Sequence, residues 1–206
     1  MSVERALDLV ETELVVAGRR LRLLRPRDNE ALIDEHAFEH EEYLPYWAEL
    51  WPSGVALART VGVRSLLGAI TLELGCGLGL PAIAAALAGG RVLASDWAPD
   101  AVAIAARNAA LNDAPVETLV CSWTAPGPLV ARGPWALVLA SDVLYEARNA
   151  DALLELLPRL GREVWLADPG RPPAARFLAE AARRWTITSR AIPDLANGAV
   201  HQLVAT

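Results

Sequence analysis

Four clusters of residues in this chain have the types and spacing to do chemistry. The first is Glu73-Leu74-Gly75-Cys76-Gly77-Leu78-Gly79-Leu80-Pro81, where alternate glycines close an apolar run and a proline opens the next segment. Glycine lets a backbone turn sharply and approach a ligand closely, where side chains would collide. The spacing is G-x-G-x-G, whereas the dinucleotide-binding fingerprint needs its third glycine, or an alanine, at position 80, which is leucine. Glu73 stands two residues before the first glycine, and a carboxylate there suits a cationic sulfonium ligand better than a pyrophosphate. The second cluster, Ser95-Asp96, lies about twenty residues beyond the loop, where a carboxylate can accept hydrogen bonds from both hydroxyls of a ribose. In the third, Ser141-Asp142-Val143-Leu144-Tyr145, the i, i+3 spacing of Asp142 and Tyr145 puts both on one side of a turn or nascent helix. The fourth, Asp168-Pro169-Gly170-Arg171-Pro172, reads as a rigid turn whose Arg171 can meet an acidic partner, Asp142 or solvent.

These clusters fall at the carboxyl ends of regularly spaced apolar runs. From residue 70 onward an apolar run, a glycine or acidic turn and an alanine-rich helix repeat at short spacing, which is the rhythm of βαβ units. Strands are expected near 70–74, 91–95, 116–121, 136–141 and 163–167, with helices near 79–88, 98–111, 147–160 and 172–185. Two final strands, 185–188 and 199–204, flank an Asn197-Gly198 turn and complete seven. The Pro- and Gly-rich stretch 124–134 is expected to replace one crossover helix. Ahead of this core, residues 13–24 read as a β-hairpin about Ala17-Gly18, residues 28 to about 43 as an acidic helix, and 53–61 as a further helix. Between them Pro45 to Pro52 is rich in aromatics, with Trp47 expected in the core. The fold class is α/β: a Rossmann-like, mostly parallel seven-stranded sheet with helices on both faces. One domain is expected over 1–206, with accessory elements at 1–69 and the ligand-binding core at 70–206.

Composition agrees with a sheet buried on both faces, since 53% of the 206 residues are apolar and 21% charged. A net charge of −6 and a pI near 5.1 argue against nucleic-acid binding, which needs a surplus of Lys and Arg. The charged start and the lack of a long apolar run predict no secretory signal and no membrane span. Two cysteines without zinc spacing suit a cytoplasmic protein, and a monomer is the default expectation.

On these pieces, together with Pro45-Tyr46-Trp47-Ala48-Glu49-Leu50-Trp51-Pro52, the chain resembles the class I, seven-strand methyltransferases that use S-adenosylmethionine. Within them it is similar to the branch of small protein-lysine methyltransferases, over about residues 45–206. The resemblance implies that Gly75 and Gly77 line the methionine part of the cofactor, with Glu73 in the same motif. It puts Asp96 at the ribose, Trp123 at the adenine, and Trp51 and Ser141 on the wall of the pocket. Trp123 also follows the third strand of the core, at the edge where open α/β sheets bind ligands, and an indole offers a stacking face. Asp142 and Tyr145 would sit beside the methyl acceptor, Asp142 capturing and orienting an amine and Tyr145 shaping its channel. A carboxylate stabilises an ammonium, so Asp142 suits orientation better than proton abstraction.

The acceptor stays open between a protein lysine and a small amine, and a non-catalytic module that binds S-adenosylmethionine is a further reading. A rival enzyme class comes from His36-Ala37-Phe38-Glu39-His40, which matches the H-x-x-E-H pattern of zinc peptidases. Its acidic surroundings read as a solvated face, and no metal is expected. Cys76, flanked by Leu74 and Leu78, reads as a small buried residue rather than a nucleophile.

Overall fold

A computed structural model describes residues 7–29, 32, 45–193, 195 and 197–206. The histidine motif at 36–40 and most of the expected acidic helix lie outside the described residues. The hairpin forms from β1 (Leu9–Val16) and β2 (Arg19–Pro26), longer than expected, with Val16 opposite Arg19. Ala17 and Gly18 both take positive φ, +50° and +78°, as a two-residue turn matched to strand twist requires. Val16, Leu21 and Leu23 are buried on one face, while Arg22 grips Glu11 through two hydrogen bonds on the other.

The open edge of β2 is closed by side chains. Asn108 and Asn112, one helical turn apart on α3 (Pro99–Leu111) and at its end, imitate a neighbouring strand. Asn108 accepts from the Leu24 N–H at 2.7 Å and donates to its carbonyl at 3.0 Å. Asn112 does the same for Arg22, at 2.9 and 2.7 Å.

The remaining elements alternate: α1 (Pro52–Gly62), β3 (Ile70–Leu74), α2 (Leu80–Leu87), β4 (Arg91–Asp96), α3, β5 (Val116–Val120), α4 (Gly127–Ala131), β6 (Leu137–Ser141), α5 (Ala147–Leu160), β7 (Glu163–Asp168), α6 (Pro172–Ala181), β8 (Trp185–Ala191) and β9 (Ala199–Ala205). Proline opens α1, α3 and α6, where a missing N–H is harmless and φ is already helical. The sheet runs β5-β4-β3-β6-β7-β9-β8, and only the pairs made by β9 are antiparallel. Pleating sends Leu72, Leu74, Val138 and Val164 into one apolar layer with α5 and α6, while Leu139, Trp165 and Ala167 join the layer of α1 and α2. Because β3 pairs with both β4 and β6, chain direction across the sheet reverses there, and a crevice opens at the strands' carboxyl ends. Among the described residues no helix is long and apolar enough to cross a membrane.

Three expectations need correction. The 124–134 stretch is not helix-free: Gly127–Ala131 forms a short helix that buries Leu129. Helix α6 stops at Ala181, because Trp185 is drawn into the core as the first residue of β8. The last two strands are joined by residues 192–198 rather than by a tight Asn-Gly turn. Gly198 abuts the end of β7: a Cβ there would lie 2.5 Å from the Asp168 carbonyl oxygen.

Candidate active site

The crevice is a cavity of about 620 Å³ whose lining includes Tyr46, Trp51, Gly75, Gly77, Asp96, Trp123, Ser141, Asp142, Tyr145 and Arg171. Of the residues expected from sequence, only Glu73 is missing from it.

Its floor is the glycine loop. Gly75, Gly77 and Gly79 have φ of +62°, +49° and +81°. A Cβ on Gly75 would stand 3.1 Å from Val143 and 3.5 Å from the Trp123 ring; one on Gly77 would stand 3.1 Å from the Trp47 carbonyl oxygen. Gly79 answers to packing instead, since its Cβ would meet that of Ala105 at 2.9 Å, against α3. Asp96 ends β4 and is 4% exposed. It accepts the Gly77 N–H at 3.0 Å through one oxygen and the Ala98 N–H at 3.0 Å through the other. Burial raises its pKa, and these backbone donors act against the rise.

Glu73 points away from the cavity. It is wholly buried, and one carboxylate oxygen accepts the Ala82 N–H at 2.8 Å, in the first turn of α2. The other oxygen has no partner among the described residues. Burial drives the Glu73 carboxyl well above its ordinary range, the Ala82 N–H opposing and the nearby Asp96 charge adding to the rise. Glu73 therefore braces the loop from behind. Alternation along β3 explains this: Leu72 and Leu74 join the α5 layer, so Glu73 must face α2. The neighbouring Cys76 is buried, and burial pushes its thiol up, as its apolar neighbours suggested.

The opposite end of the cavity is aromatic and ionic. The Tyr46 and Tyr145 rings lie 5.1 Å apart, and Tyr46 stands 6.4 Å from Trp51. The Trp51 indole donates to the Tyr46 carbonyl at 2.8 Å, fixing the indole against the short 3-10 turn Tyr46–Ala48. Trp47, expected in the core, lines the cavity instead. Burial raises the pKa of Tyr145.

Asp142 follows β6 with φ +58° and is 7% exposed. Arg171 Nε donates to one of its carboxylate oxygens at 2.5 Å, and the Ser53 hydroxyl donates to the other at 2.9 Å. Of the three settings open to Arg171, the structure selects Asp142. Its guanidinium also lies 5.6 Å from the Trp51 ring centroid. Sequence reasoning missed Trp97, Thr124, Arg148 and Asn149 as lining residues. Trp97 had a signal, being next to Asp96 at a strand's carboxyl end. Arg148 and Asn149 had none, because they reach the cavity only through the placement of α5.

A strand order with two antiparallel final strands, a glycine loop at its switch point and a cavity above it together define the class I methyltransferase fold. The chain superposes on the 16S rRNA N2 G1207 methyltransferase of Thermus thermophilus with a TM-score of 0.71 at 13% identity, covering 100% of this chain and 52% of the other. With the magnesium protoporphyrin IX methyltransferase of Synechocystis the TM-score is 0.58 at 21% identity, over 75% and 78% of the two chains.

Residues 39–164 match the model of the lysine methyltransferase family, and the chain belongs to that family. It is 37% identical over 164 residues to the electron transfer flavoprotein beta subunit lysine methyltransferase of Xenopus laevis, covering 74% of this chain and 63% of the relative. The human counterpart is 34% identical over 161 residues, 74% and 59% of the two chains. The histone-arginine methyltransferase METTL23 of mouse is 30% identical over 152 residues, 68% and 59% of the two chains. The matched region spans less than two thirds of the length of each of these three relatives.

Proposed function

We propose that this chain is an S-adenosylmethionine-dependent N-methyltransferase acting on a lysine side chain of a protein. The observation that carries this reading is the sharing of one cavity by the Gly75-Gly77-Asp96 cradle and the Asp142-Tyr145-Tyr46-Trp51 group. The cradle fits the cofactor: the backbone at Gly75 and Gly77 is bare where a Cβ would collide, and a buried carboxylate stands beside it. In this reading Gly75 and Gly77 line the methionine part, Asp96 holds the ribose, Trp123 stacks on the adenine, and Trp51 and Ser141 wall the site. When bound, S-adenosylmethionine supplies an electrophilic methyl group carried on a sulfonium sulfur.

The acceptor end is built for an amine on an apolar stem. Tyr46 and Tyr145 offer aromatic faces that attract the methylenes of such a stem. An amine attacks only as the free base, and from a reference pKa of about 10.4 reaching that form at pH 7 costs about 4.6 kcal/mol. Asp142, with both oxygens already engaged, orients the acceptor, and water takes the proton. Alignment of the amine in the aromatic channel then supplies most of the acceleration, about 7–11 kcal/mol in favourable systems. The activities named for the relatives support a protein acceptor, and two buried free cysteines suit a reducing, cytoplasmic setting.

The test is transfer of labelled methyl from S-adenosylmethionine into a cell extract separated into protein and small-molecule fractions. Label in a protein band that maps to lysine supports the reading. Label confined to small molecules redirects it to metabolite amines, and cofactor binding with no label in either fraction makes the chain a binding module.

A further inference from the structure

The pairing of Arg171 with Asp142 bears on how the acceptor is recognised. A buried carboxylate beside an entering amine stabilises the ammonium and raises its pKa by about 1–3 units, which opposes methyl transfer. This carboxylate is not available on those terms. Ser53 on α1 and Arg171 hold its two oxygens, the first as a hydroxyl donor and the second as a cationic guanidinium.

Arg171 is aimed at Asp142 by a built turn. Asp168, 1% exposed at the end of β7, accepts the backbone N–H of Gly170 at 2.7 Å and of Arg171 at 2.8 Å through one oxygen. Gly170 has φ +88°, and a Cβ on it would stand 2.6 Å from the Asn197 carbonyl oxygen, so the loop before β9 leaves room only for glycine there. The guanidinium thus emerges on the cavity wall over the Trp51 face. It occupies the best cation-binding surface of the aromatic group and leaves the Tyr46–Tyr145 pair to the acceptor.

The other groups facing this end do not replace it. Glu146, ahead of α5, and Arg148 on α5 are bridged to each other. Tyr46 and Tyr145 are phenols, Asp96 lies in the cradle at the other end, and Asp168 gives one oxygen to its turn while the other, without a hydrogen-bond partner among the described residues, leaves its charge felt by both Asp142 and Arg171. Arg171 is the cation set against Asp142.

We infer that Arg171 determines the protonation state of the acceptor: by cancelling Asp142 it removes the charge that would hold the acceptor as an ammonium, and so favours entry of the neutral amine. This rests on the methyltransferase reading above. Asp142 keeps its orienting role, now as half of a neutral pair.

Sinefungin tests this without turnover. It is the cofactor analogue in which an amine-bearing carbon replaces the methylsulfonium, so its amine reports the field at the methyl's place. S-Adenosylhomocysteine, which carries no amine there, is the reference. Calorimetric affinities for both, measured from pH 6 to 10, give a ratio that cancels general effects on the cradle. In the wild type, sinefungin should gain on S-adenosylhomocysteine as pH rises, because its amine must bind neutral. Arg171→Gln should improve relative sinefungin binding at pH 7 by about tenfold, a one-unit shift, and flatten the pH dependence. Arg171→Lys should keep the wild-type profile. Asp142→Asn, which keeps the guanidinium and removes the carboxylate, should shift the ratio the other way.

An Arg171→Gln ratio and pH profile equal to those of the wild type would overturn the assignment. So would a shift of the same sign in Asp142→Asn, which remains informative if Arg171→Gln does not fold. Failure of the wild type to bind S-adenosylhomocysteine would instead remove the cofactor reading, and the assignment with it.

Discussion

Gly77→Ala, compared with Gly68→Ala, separates backbone strain from damage to the cavity. Gly77 has φ +49° and Gly68 φ +73°, so an alanine at either position bears the left-handed penalty of about 1–2 kcal/mol. For a chain of this size each kcal/mol lowers Tm by about 2–4 °C, so both variants should melt roughly 2–8 °C below the wild type. They differ in what the new methyl meets. At Gly68 there is nothing within 4 Å, whereas at Gly77 it meets the Trp47 carbonyl oxygen at 3.1 Å, a backbone atom of the cavity wall. The Gly77 N–H that donates to Asp96 would be displaced with it. Calorimetric titration with S-adenosylhomocysteine should therefore give Gly68→Ala an affinity within twofold of the wild type. Gly77→Ala should weaken it at least about tenfold, or 1.4 kcal/mol. A folded Gly77→Ala protein that binds S-adenosylhomocysteine as well as Gly68→Ala does would refute the placement of the cofactor against this loop.

Asp142→Ala should leave S-adenosylhomocysteine affinity within a few-fold of the wild type while slowing methyl transfer by about a hundredfold, the cost of a misplaced acceptor. Lost cofactor binding in a folded variant would contradict the division of the cavity into two ends. Asn108→Ala removes three hydrogen bonds, to the Leu24 N–H, the Leu24 carbonyl and the Leu78 carbonyl. It should cost about 2–4 kcal/mol in urea unfolding and expose the hairpin to protease, and unchanged cleavage would argue against the asparagine clasp. Glu73→Gln tests the buried carboxyl: its folded pKa lies well above 4.5, so the stability tied to its proton is fully present below that value and is lost as pH rises toward the folded pKa. The variant's Tm should gain on the wild type between pH 5 and 8, and parallel curves would show that Glu73 does not carry this dependence.

The parallel strands were legible because a sheet covered on both faces favours apolar runs, such as Leu137–Ala140, and in Ile70–Leu74 the polar Thr71 and Glu73 interrupt that pattern without hiding it. Their spacing forces crossovers, and crossovers force the carboxyl-end crevice, so Asp96, Trp123 and Asp142 could be assigned to one site from sequence. Legibility failed where a second element decides the outcome. Glu73 belongs to the glycine motif but faces α2, because strand alternation outranks proximity in sequence. Trp47 reads as a core residue until the glycine loop is seen to press on its carbonyl and hold its segment at the cavity. Arg171 had three equivalent settings, and only the lateral pairing of β6 with β7 brings it to Asp142. The 192–198 connection carried a hairpin's Asn-Gly signal, but contact with the Asp168 turn overrode it.

Asp142 shows how one residue can satisfy two unrelated demands. Its N–H donates to the Ala167 carbonyl, extending the β6–β7 pairing by one residue, and its φ of +58° then turns the chain out of the sheet. Asparagine and aspartate tolerate that conformation better than other L-residues, and glycine tolerates it best. The turn swings Val143 against the glycine loop and Tyr145 into the channel, so of the turn or nascent helix expected for this i, i+3 pair it is the turn that forms, with α5 starting only at Ala147. Glycine would make the turn but leave Arg171 and Ser53 without an acceptor, and glutamate would carry the charge but resist the turn. The backbone requirement narrows the choice to short polar residues, and the guanidinium across the cavity selects the carboxylate among them.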